Sequence, residues 1–381
     1  MSAPVTSEAP LVIIGSGFAA LSLIRAIRRT DNKLPITLIC GDSGDDYHKP
    51  DLSHVFSNKQ CAEELVKQPA ADWAKQLNVK AITNTWVTAI DATQKVVSWD
   101  GGALEYGKLV LATGASAIVP PVPGSELLHT FNSLQEFRHS EAKLDAAKTV
   151  LVVGAGLIGT ELAMDLARSG RKVLLLDQAH SVLPNLMPAM VATPLAQSLR
   201  DLGVELLLSR QLQALNQHDE GVSAIVSGQV LPVDAAIAAI GLKPNVHLAR
   251  AMGAEVNRGI VVDAKLQTSI EGVYALGDCA EIEGQVRPYL QPAMLAANAL
   301  AKTLLGQPTS LKLPAALIKV KTPALPMQLA GNTFESSNWQ IETDAQGLNA
   351  KASNGFGKLQ GFVVSEAHQA GAIKLLQQLN Q

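Results

Sequence analysis

Apolar positions along this chain recur as short unbroken runs followed by glycine. Leu11-Val12-Ile13-Ile14 leads into Gly15-Ser16-Gly17-Phe18-Ala19-Ala20, and Val150-Leu151-Val152-Val153 leads into Gly154-Ala155-Gly156-Leu157-Ile158-Gly159. A continuous apolar run of this length fits a strand buried on both faces. Each unit therefore reads as strand, tight turn, helix. Residues 11–40 extend the first unit, because Ile36-Thr37-Leu38-Ile39 returns as a strand beside the first. Elsewhere, residues 61–77 carry helical spacing in Leu65, Trp73 and Leu77, and residues 85–99 alternate like a hairpin. Lys108–Leu111 is a short buried strand. Val119-Pro120-Pro121-Val122-Pro123-Gly124 excludes helix or central strand and reads as an interdomain linker. The second unit continues to about Gly241. Val273–Leu276 is a strand, a long amphipathic helix covers about 291–305, and Pro292 begins it. After Pro314 the pattern changes to short strands with a last helix near 367–378, a small α+β C-terminal domain.

The glycine turns carry the chemistry. In such a unit the first glycine (Gly15, Gly154) makes the turn. The second (Gly17, Gly156) lets a phosphate approach the backbone. The third small residue (Ala20, Gly159) lets helix pack on strand. Backbone N–H groups and a helix N-terminus are then aimed at a pyrophosphate. Two such units imply two dinucleotides, and a chain that holds two dinucleotides moves a hydride between them. After the second unit, Val173-Leu174-Leu175-Leu176 ends in Asp177, 18 residues past Gly159. A carboxylate there accepts hydrogen bonds from the adenosine ribose hydroxyls and repels a 2′-phosphate, favouring NADH over NADPH. After the first unit, Asp42 lies 22 residues past Ala20, with Cys40 where a carboxylate often stands. Asp42 is a ribose ligand or a solvated loop acid.

The 381 residues suffice for two or three domains, and 47% hydrophobic with 17% charged residues describes a packed α/β protein. A net charge of −3 suggests neither nucleic acid nor an anionic membrane as a general partner. The first ten residues lack a basic start and an apolar core, so neither a signal peptide nor a membrane helix is expected. Cys40, Cys61 and Cys279 form no CxxC pair. That points to the cytoplasm and away from a redox disulfide or a zinc site.

Thr268-Ser269-Ile270-Glu271-Gly272-Val273-Tyr274-Ala275-Leu276-Gly277-Asp278 and Ala112-Thr113-Gly114, added to the two glycine units, resemble the FAD/NAD-linked pyridine nucleotide-disulfide reductase superfamily. The four motifs come in that family's order over nearly the whole chain. The resemblance implies two Rossmann-like dinucleotide-binding domains and a small α+β C-terminal domain. The FAD domain is discontinuous (1–120 and 247–315), the NADH domain covers 121–246, and the C-terminal domain covers 316–381. It implies FAD at the first glycine unit, at Ala112, Thr113 and Gly114 and at Gly277 and Asp278, and NAD(H) at the second.

No cysteine pair follows the first glycine unit and no His-Pro pair ends the chain, so the flavin is expected to pass electrons directly to its acceptor. Within the family, Tyr47-His48-Lys49-Pro50-Asp51-Leu52-Ser53-His54, residues 115–124 and Lys319-Val320-Lys321-Thr322-Pro323 resemble reductases serving rubredoxin-like iron centres. The match is closer to those of flavorubredoxin in nitric oxide detoxification than to the rubredoxin reductases of alkane oxidation. The implied partner is flavorubredoxin or rubredoxin. A flavoprotein redox sensor of similar fold is the competing reading.

The resemblance also gives Glu161, expected in the first turn of the NAD helix, a place facing nicotinamide and flavin. It puts Lys321 near the flavin ring, although Lys319 alternates onto the same strand face. Lys49, in a loop, would pair with FAD phosphate or the flavin edge or remain solvated. The helix N-terminus at Pro292, with Gln291 beside it, would face the flavin pyrimidine. His54, His129 and His247 are expected in packing or surface roles. Rubredoxins are typically acidic, so Arg25, Arg28, Arg29, Lys319 and Lys321 form the expected docking patch.

Overall fold

The computed structural model describes residues 9–218, 221–334 and 338–381. By contact density the chain divides into two compact units: Met1–His48, Val66–Ser116 and Lys243–Leu313, and Lys49–Leu65, Ala117–Leu242 and Pro314–Gln381.

The first unit is built on a five-stranded parallel sheet in the order Val273–Ala275, Lys108–Leu111, Leu11–Ile14, Ile36–Ile39, Lys80–Ile82. Leu11 pairs with Ile36 on one side and Lys108 on the other. All four residues of Leu11–Ile14 are buried, as the unbroken apolar run requires. Helices Phe18–Arg28 and Leu290–Leu304 pack together, with Leu23, Ile24, Ala297 and Leu300 in the same core.

The second unit repeats this plan. Its parallel sheet runs Leu128–Thr130, Ala235–Ala238, Thr149–Val153, Lys172–Asp177, Glu205–Leu208. In both units the glycine-turn strand lies between the strand that leads to the acid and a later strand. In both, a three-stranded antiparallel meander directly precedes that later strand: Val87–Asp91, Val96–Trp99 and Gly102–Glu105 in one, Leu212–His218, Gly221–Val226 and Gln229–Val233 in the other. The expected hairpin over 85–99 is thus present, with a third strand added. The second unit also contains an antiparallel sheet in the order Ile318–Val320, Met327–Gly331, Leu359–Ser365, Gly347–Ser353, Asn338–Asp344, against which helix Ala372–Leu379 packs.

Three local expectations are corrected. Residues 61–77 are not one helix: a 3₁₀ turn Glu63–Leu65 and a strand Val66–Gln68 precede helix Ala70–Gln76. Pro69 is its N-cap, and proline restricts the residue before it to extended backbone, which stops a helix from running through. Lys49 is not in an irregular loop but opens the 3₁₀ segment Lys49–His54. The final helix is Ala372–Leu379, preceded by a 3₁₀ segment Glu366–Gly371.

Segment 49–65, expected with residues 1–120, packs inside the second unit. The Phe56 ring lies 5.7 Å from Phe131, which lies 5.1 Å from Phe137, and the Arg171 guanidinium sits 5.0 Å over Phe56. The Ala62 N–H donates to Glu141 at 3.1 Å, and Arg138 pairs with Glu63 at 2.8 Å. Aromatic burial and these polar ties outweigh chain continuity with residues 1–48. Among the described residues no helix is long and apolar enough to cross a membrane.

Candidate functional site

Each glycine unit sits where its strand ends and a helix begins. Gly15 has φ +108° and Gly154 φ +110°. A Cβ added at Gly15 would stand 2.2 Å from the Ala112 carbonyl oxygen, and at Gly154 2.4 Å from that of Ala239. Both positions therefore exclude any side chain twice over, by dihedral and by space. Ala239-Ile240-Gly241 in the second unit thus occupies the place of Ala112-Thr113-Gly114 in the first. The Ala112 N–H donates to Ile14 and the Ala239 N–H to Val153, closing the two turns alike. This second copy went unread in the sequence. The signal was there, an Ala-x-Gly after each buried strand, but the Ile at its centre hid it.

The residues present fit two bound dinucleotides. Gly17 and Gly156 are the N-caps of helices Phe18–Arg28 and Leu157–Arg168. A Cβ on either would face open space. Among the described residues neither helix has a capping side chain or an acid in its first turn. The N-terminal N–H groups are thus left for an external anion. Ala20 is fully buried between helix and sheet, while Gly159 admits no side chain, its Cβ position lying 1.8 Å from the Gly154 oxygen.

The two acids stand against the middle residue of each turn. Asp42 accepts from the Ser16 hydroxyl at 2.8 Å and from the Gly44 N–H at 3.1 Å. Asp177, last residue of its strand, accepts from the Ala155 N–H at 2.6 Å and the Ala179 N–H at 2.8 Å. Each carboxylate thus lies beside its own phosphate turn, the place from which a ribose is held. Thr113 donates to the Asn245 carbonyl at 2.7 Å, and the Asn245 amide donates back to the Thr113 carbonyl at 2.9 Å. Gly277 and Asp278 form a 3₁₀ turn after strand Val273–Ala275, and a Cβ at Gly277 would lie 2.8 Å from that of Ala19. This brings the Gly-Asp turn onto the first glycine helix. Pro292 is the third residue of helix Leu290–Leu304, which starts one residue earlier than expected, so Pro292 lies in its first turn rather than at its start. Its missing N–H is no loss in a first turn. Tyr289 is the N-cap without a side-chain bond, and no acid occupies the first turn.

Glu161 and Lys321 are joined directly, in a way that differs from expectation. Helix Leu157–Arg168 begins at Leu157, so Glu161 lies in its second turn, beyond the reach of the end charge. The Glu161 carboxylate is buried and accepts the Lys321 backbone N–H at 2.7 Å, with the Ser53 hydroxyl as a further donor. Burial pushes its pKa up, against the lowering effect of these bonds. Lys319 and Lys321 do not share a strand face, because the strand ends at Val320 and Lys321 opens the turn that follows.

A proton-linked stability effect follows from Glu161. Its folded-state pKa stands above the ordinary 4.5, so stability falls as pH rises from there through the raised value. Glu161→Gln keeps an acceptor for the Lys321 N–H and removes the ionisation. The melting temperature of the variant relative to wild type is expected to climb across that window and then level off. A difference that does not change with pH would show that Glu161 ionises as freely folded as unfolded.

One turn further along the same helix, buried Asp165 accepts from the Phe56 N–H at 2.8 Å, the Ser57 N–H at 3.2 Å and the Ser57 hydroxyl. Glu161 and Asp165 thus use the i, i+4 face of one helix to hold residues 53–57 and the start of the 321 turn. Asp165 and Arg168 carry no sequence motif and were not picked out. His54 lies in this region, its pKa lowered by burial. His129 is lowered likewise, and His247 is exposed. All three cysteines are free. Burial pushes the Cys40 thiol up to about 12 and raises Cys279 as well, so neither is a thiolate at neutral pH.

Comparison with known proteins agrees with this geometry. Residues 310–379 match the model of a rubredoxin binding C-terminal domain. A nitric oxide reductase FlRd-NAD(+) reductase from Escherichia coli is 53% identical over 371 residues, 97% of this chain and 98% of that one. The crystal structure of a covalent putidaredoxin reductase–putidaredoxin complex superposes with a TM-score of 0.89 at 25% identity, covering 98% of this chain and 93% of that one. An NADH:rubredoxin oxidoreductase from Clostridium acetobutylicum shares the fold, with a TM-score of 0.81 at 21% identity over 98% of this chain and 95% of that one. Residues 9–302, which carry both glycine turns, both acids and the Gly-Asp turn, match the pyridine nucleotide-disulphide oxidoreductase model, and the chain belongs to that family.

Proposed function

We propose that this protein is an NADH-dependent flavoprotein reductase that passes electrons through FAD to the rubredoxin-type iron centre of flavorubredoxin, in nitric oxide detoxification. The observation that carries the reading is one chain with two complete dinucleotide turns and a region matching a rubredoxin binding domain. The name of the 53% identical relative favours flavorubredoxin over the rubredoxin of an alkane hydroxylase, and the oxidoreductase family favours an enzyme over a redox sensor. Free cysteines and use of NADH support a cytoplasmic place.

FAD, when bound, supplies the step between a hydride donor and a one-electron iron acceptor. The protein's share is binding and orientation. Gly15, Gly17 and the start of helix Phe18–Arg28 hold one pyrophosphate, with Asp42 at the ribose. Ala112, Thr113, Gly114, Gly277 and Asp278 would complete the flavin side, and the helix start at Pro292, without a capping side chain, would favour negative charge on the ring. Gly154, Gly156, Gly159 and Asp177 hold NADH. Glu161 fixes the Lys321 backbone, Lys321 and Lys49 are the residues that would supply positive charge to a bound flavin, and no side chain has to act as a general base.

Asp278→Ala is expected to lose FAD on gel filtration, since a polar contact to the ribityl region disappears. Full occupancy in that variant would remove Asp278 from the site. The function itself is tested by steady-state NADH oxidation with a flavorubredoxin rubredoxin domain as acceptor. Turnover with small acceptors and none with rubredoxin would overturn it.

A further inference from the structure

The first unit holds a large aromatic side chain in the open beside its glycine turn. Trp86 is 71% exposed, one residue before the buried Val87. We propose that its indole is the platform on which the adenine of the dinucleotide at this turn stacks, and that this stack makes the first site retain a dinucleotide where the second releases one. The inference rests on the function proposed above and adds to it a residue that separates two otherwise like sites.

The ring is fixed by what lies under it. A Cβ added at Gly41 would stand 2.3, 2.5 and 2.6 Å from Cε2, Cδ2 and Cζ2 of Trp86. Distances this even to three atoms of a fused ring are met only above its plane. The Gly41 backbone therefore covers one face of the indole, and the exposure of Trp86 belongs to the other. Gly41 lies outside the left-handed region, so its dihedral does not call for glycine; the ring does. Backbone bonds hold the segment on either side of Gly41. The Thr85 N–H donates to the Cys40 carbonyl at 2.8 Å, and the Asn84 N–H to that of Asp42 at 2.7 Å. Little is left to be ordered when a base arrives.

The occupant follows from the neighbours. Asp42, next to Gly41, reaches the glycine turn through the Ser16 hydroxyl at 2.8 Å. The acid past the returning strand marks the adenosine end of a bound dinucleotide, and the base joined to that ribose in FAD is adenine. A purine presents a flat π face, and stacking on an indole needs neither charge nor a fixed edge.

The second unit repeats the turn without the ring. There the Arg210 N–H donates to the Asp177 carbonyl at 3.1 Å and the Ser209 N–H to that of Ala179 at 2.9 Å. Ser209 has φ +56° where Asn84 has +50°, and the antiparallel meanders open on Leu212 and Val87. This register puts Gln178 at the place of Gly41 and Gln211 at that of Trp86, and both glutamines are exposed. A resident cofactor stays through every turnover, whereas NADH has to leave after each. The glycine and the indole occur together in the site that must hold, and neither occurs in the site that must let go.

The groove on the first helix lined by Arg25, Arg28 and Arg29 offers no such open group. Arg25 is paired with Asp46 at 2.6 Å, and the Arg28 guanidinium donates to the carbonyls of Leu77, Asp31, Leu34 and Asn78. Two charges of the docking patch expected there are committed within the fold.

The test uses the full-length, FAD-loaded protein and reads FAD release on dilution as free flavin in a filtrate. Trp86→Ala and Trp86→Leu are expected to release FAD ~10-fold or more faster, the factor that one lost base–aromatic stack is worth. Trp86→Phe should stay within about threefold of wild type, because a smaller aromatic face remains. Gly41→Ala should speed release in the wild-type background and add nothing to Trp86→Ala, since the atoms nearest its methyl belong to the ring. Carrying the pair across, Gln178→Gly with Gln211→Trp should tighten NAD+ binding ~10-fold. The flavin absorption bands of loaded Trp86→Ala should superpose on those of wild type. Unchanged release in Trp86→Ala overturns the platform. So does Trp86→Leu holding FAD as long as Trp86→Phe, which would make the ring a mere cover, and so do shifted flavin bands, which would put the isoalloxazine on the indole. Unaltered NAD+ binding in the double variant overturns the stack as what separates the two sites. A wild-type protein that binds no FAD brings down the functional reading, and the platform with it.

Discussion

Asp177→Ser combined with Gln178→Arg is expected to move the enzyme from NADH toward NADPH. The carboxylate ends the strand Lys172–Asp177 and already faces its own phosphate turn through the Ala155 N–H. With NADH bound, its oxygens would accept from ribose hydroxyls, and its charge would repel a 2′-phosphate. Hydrogen bonds to a charged group are worth about 1.5–3 kcal/mol, so kcat/KM for NADH should fall roughly 10- to 100-fold in Asp177→Ser. The guanidinium adds a pair for the 2′-phosphate and should raise kcat/KM for NADPH by a similar factor. Serine also gives up the bond to Ala155, so melting temperature and flavin absorbance are measured alongside to separate a looser turn from a lost ribose contact. Unchanged kcat/KM for NADH in Asp177→Ser would remove this carboxylate from the ribose site.

Alanine at the two leading glycines should produce opposite losses. Gly15→Ala places a methyl 2.2 Å from the Ala112 oxygen at φ +108°, and Gly154→Ala places one 2.4 Å from the Ala239 oxygen at φ +110°. A backbone oxygen cannot swing aside, so each turn must open by more than the ~1–3 kcal/mol of a strained dihedral alone implies. Gly15→Ala protein should purify colourless, without FAD. Gly154→Ala protein should remain yellow and accept electrons from dithionite, yet its flavin should stay oxidised on mixing with NADH. Absorbance near the flavin band reads both. A Gly154→Ala protein that loses flavin while Gly15→Ala keeps it would exchange the assignments of the two turns.

Both turns were legible because their cause is local. Four apolar residues, a glycine that must take positive φ and a helix start together force one geometry, and Leu11–Ile14 and Thr149–Val153 are both buried strands in parallel sheets. The positions of Asp42 and Asp177 beside the turns were legible for the same reason, since the returning strand carries the chain there, Asp177 as its last residue and Asp42 in the turn just past Ile39. Glu161 was placed one turn too early because the helix boundary depends on which glycine is the N-cap, and Lys319 was put on one face with Lys321 because alternation was continued past Val320. Helical spacing over 61–77 misled because Pro69 outweighs the period.

The sequence by itself determined the two parallel dinucleotide folds and their order, since each rests on residues near one another in the chain. Only the tertiary structure decided where residues 49–65 belong. Their packing depends on Phe131, Phe137 and Asp165, between 66 and 116 residues beyond that segment's end or start, and no period within the segment encodes such distant partners. The same holds for the bond between Glu161 and the Lys321 backbone, 160 residues apart. A buried carboxylate takes its donors from whatever backbone the fold brings to it, and that is settled by packing, not by spacing.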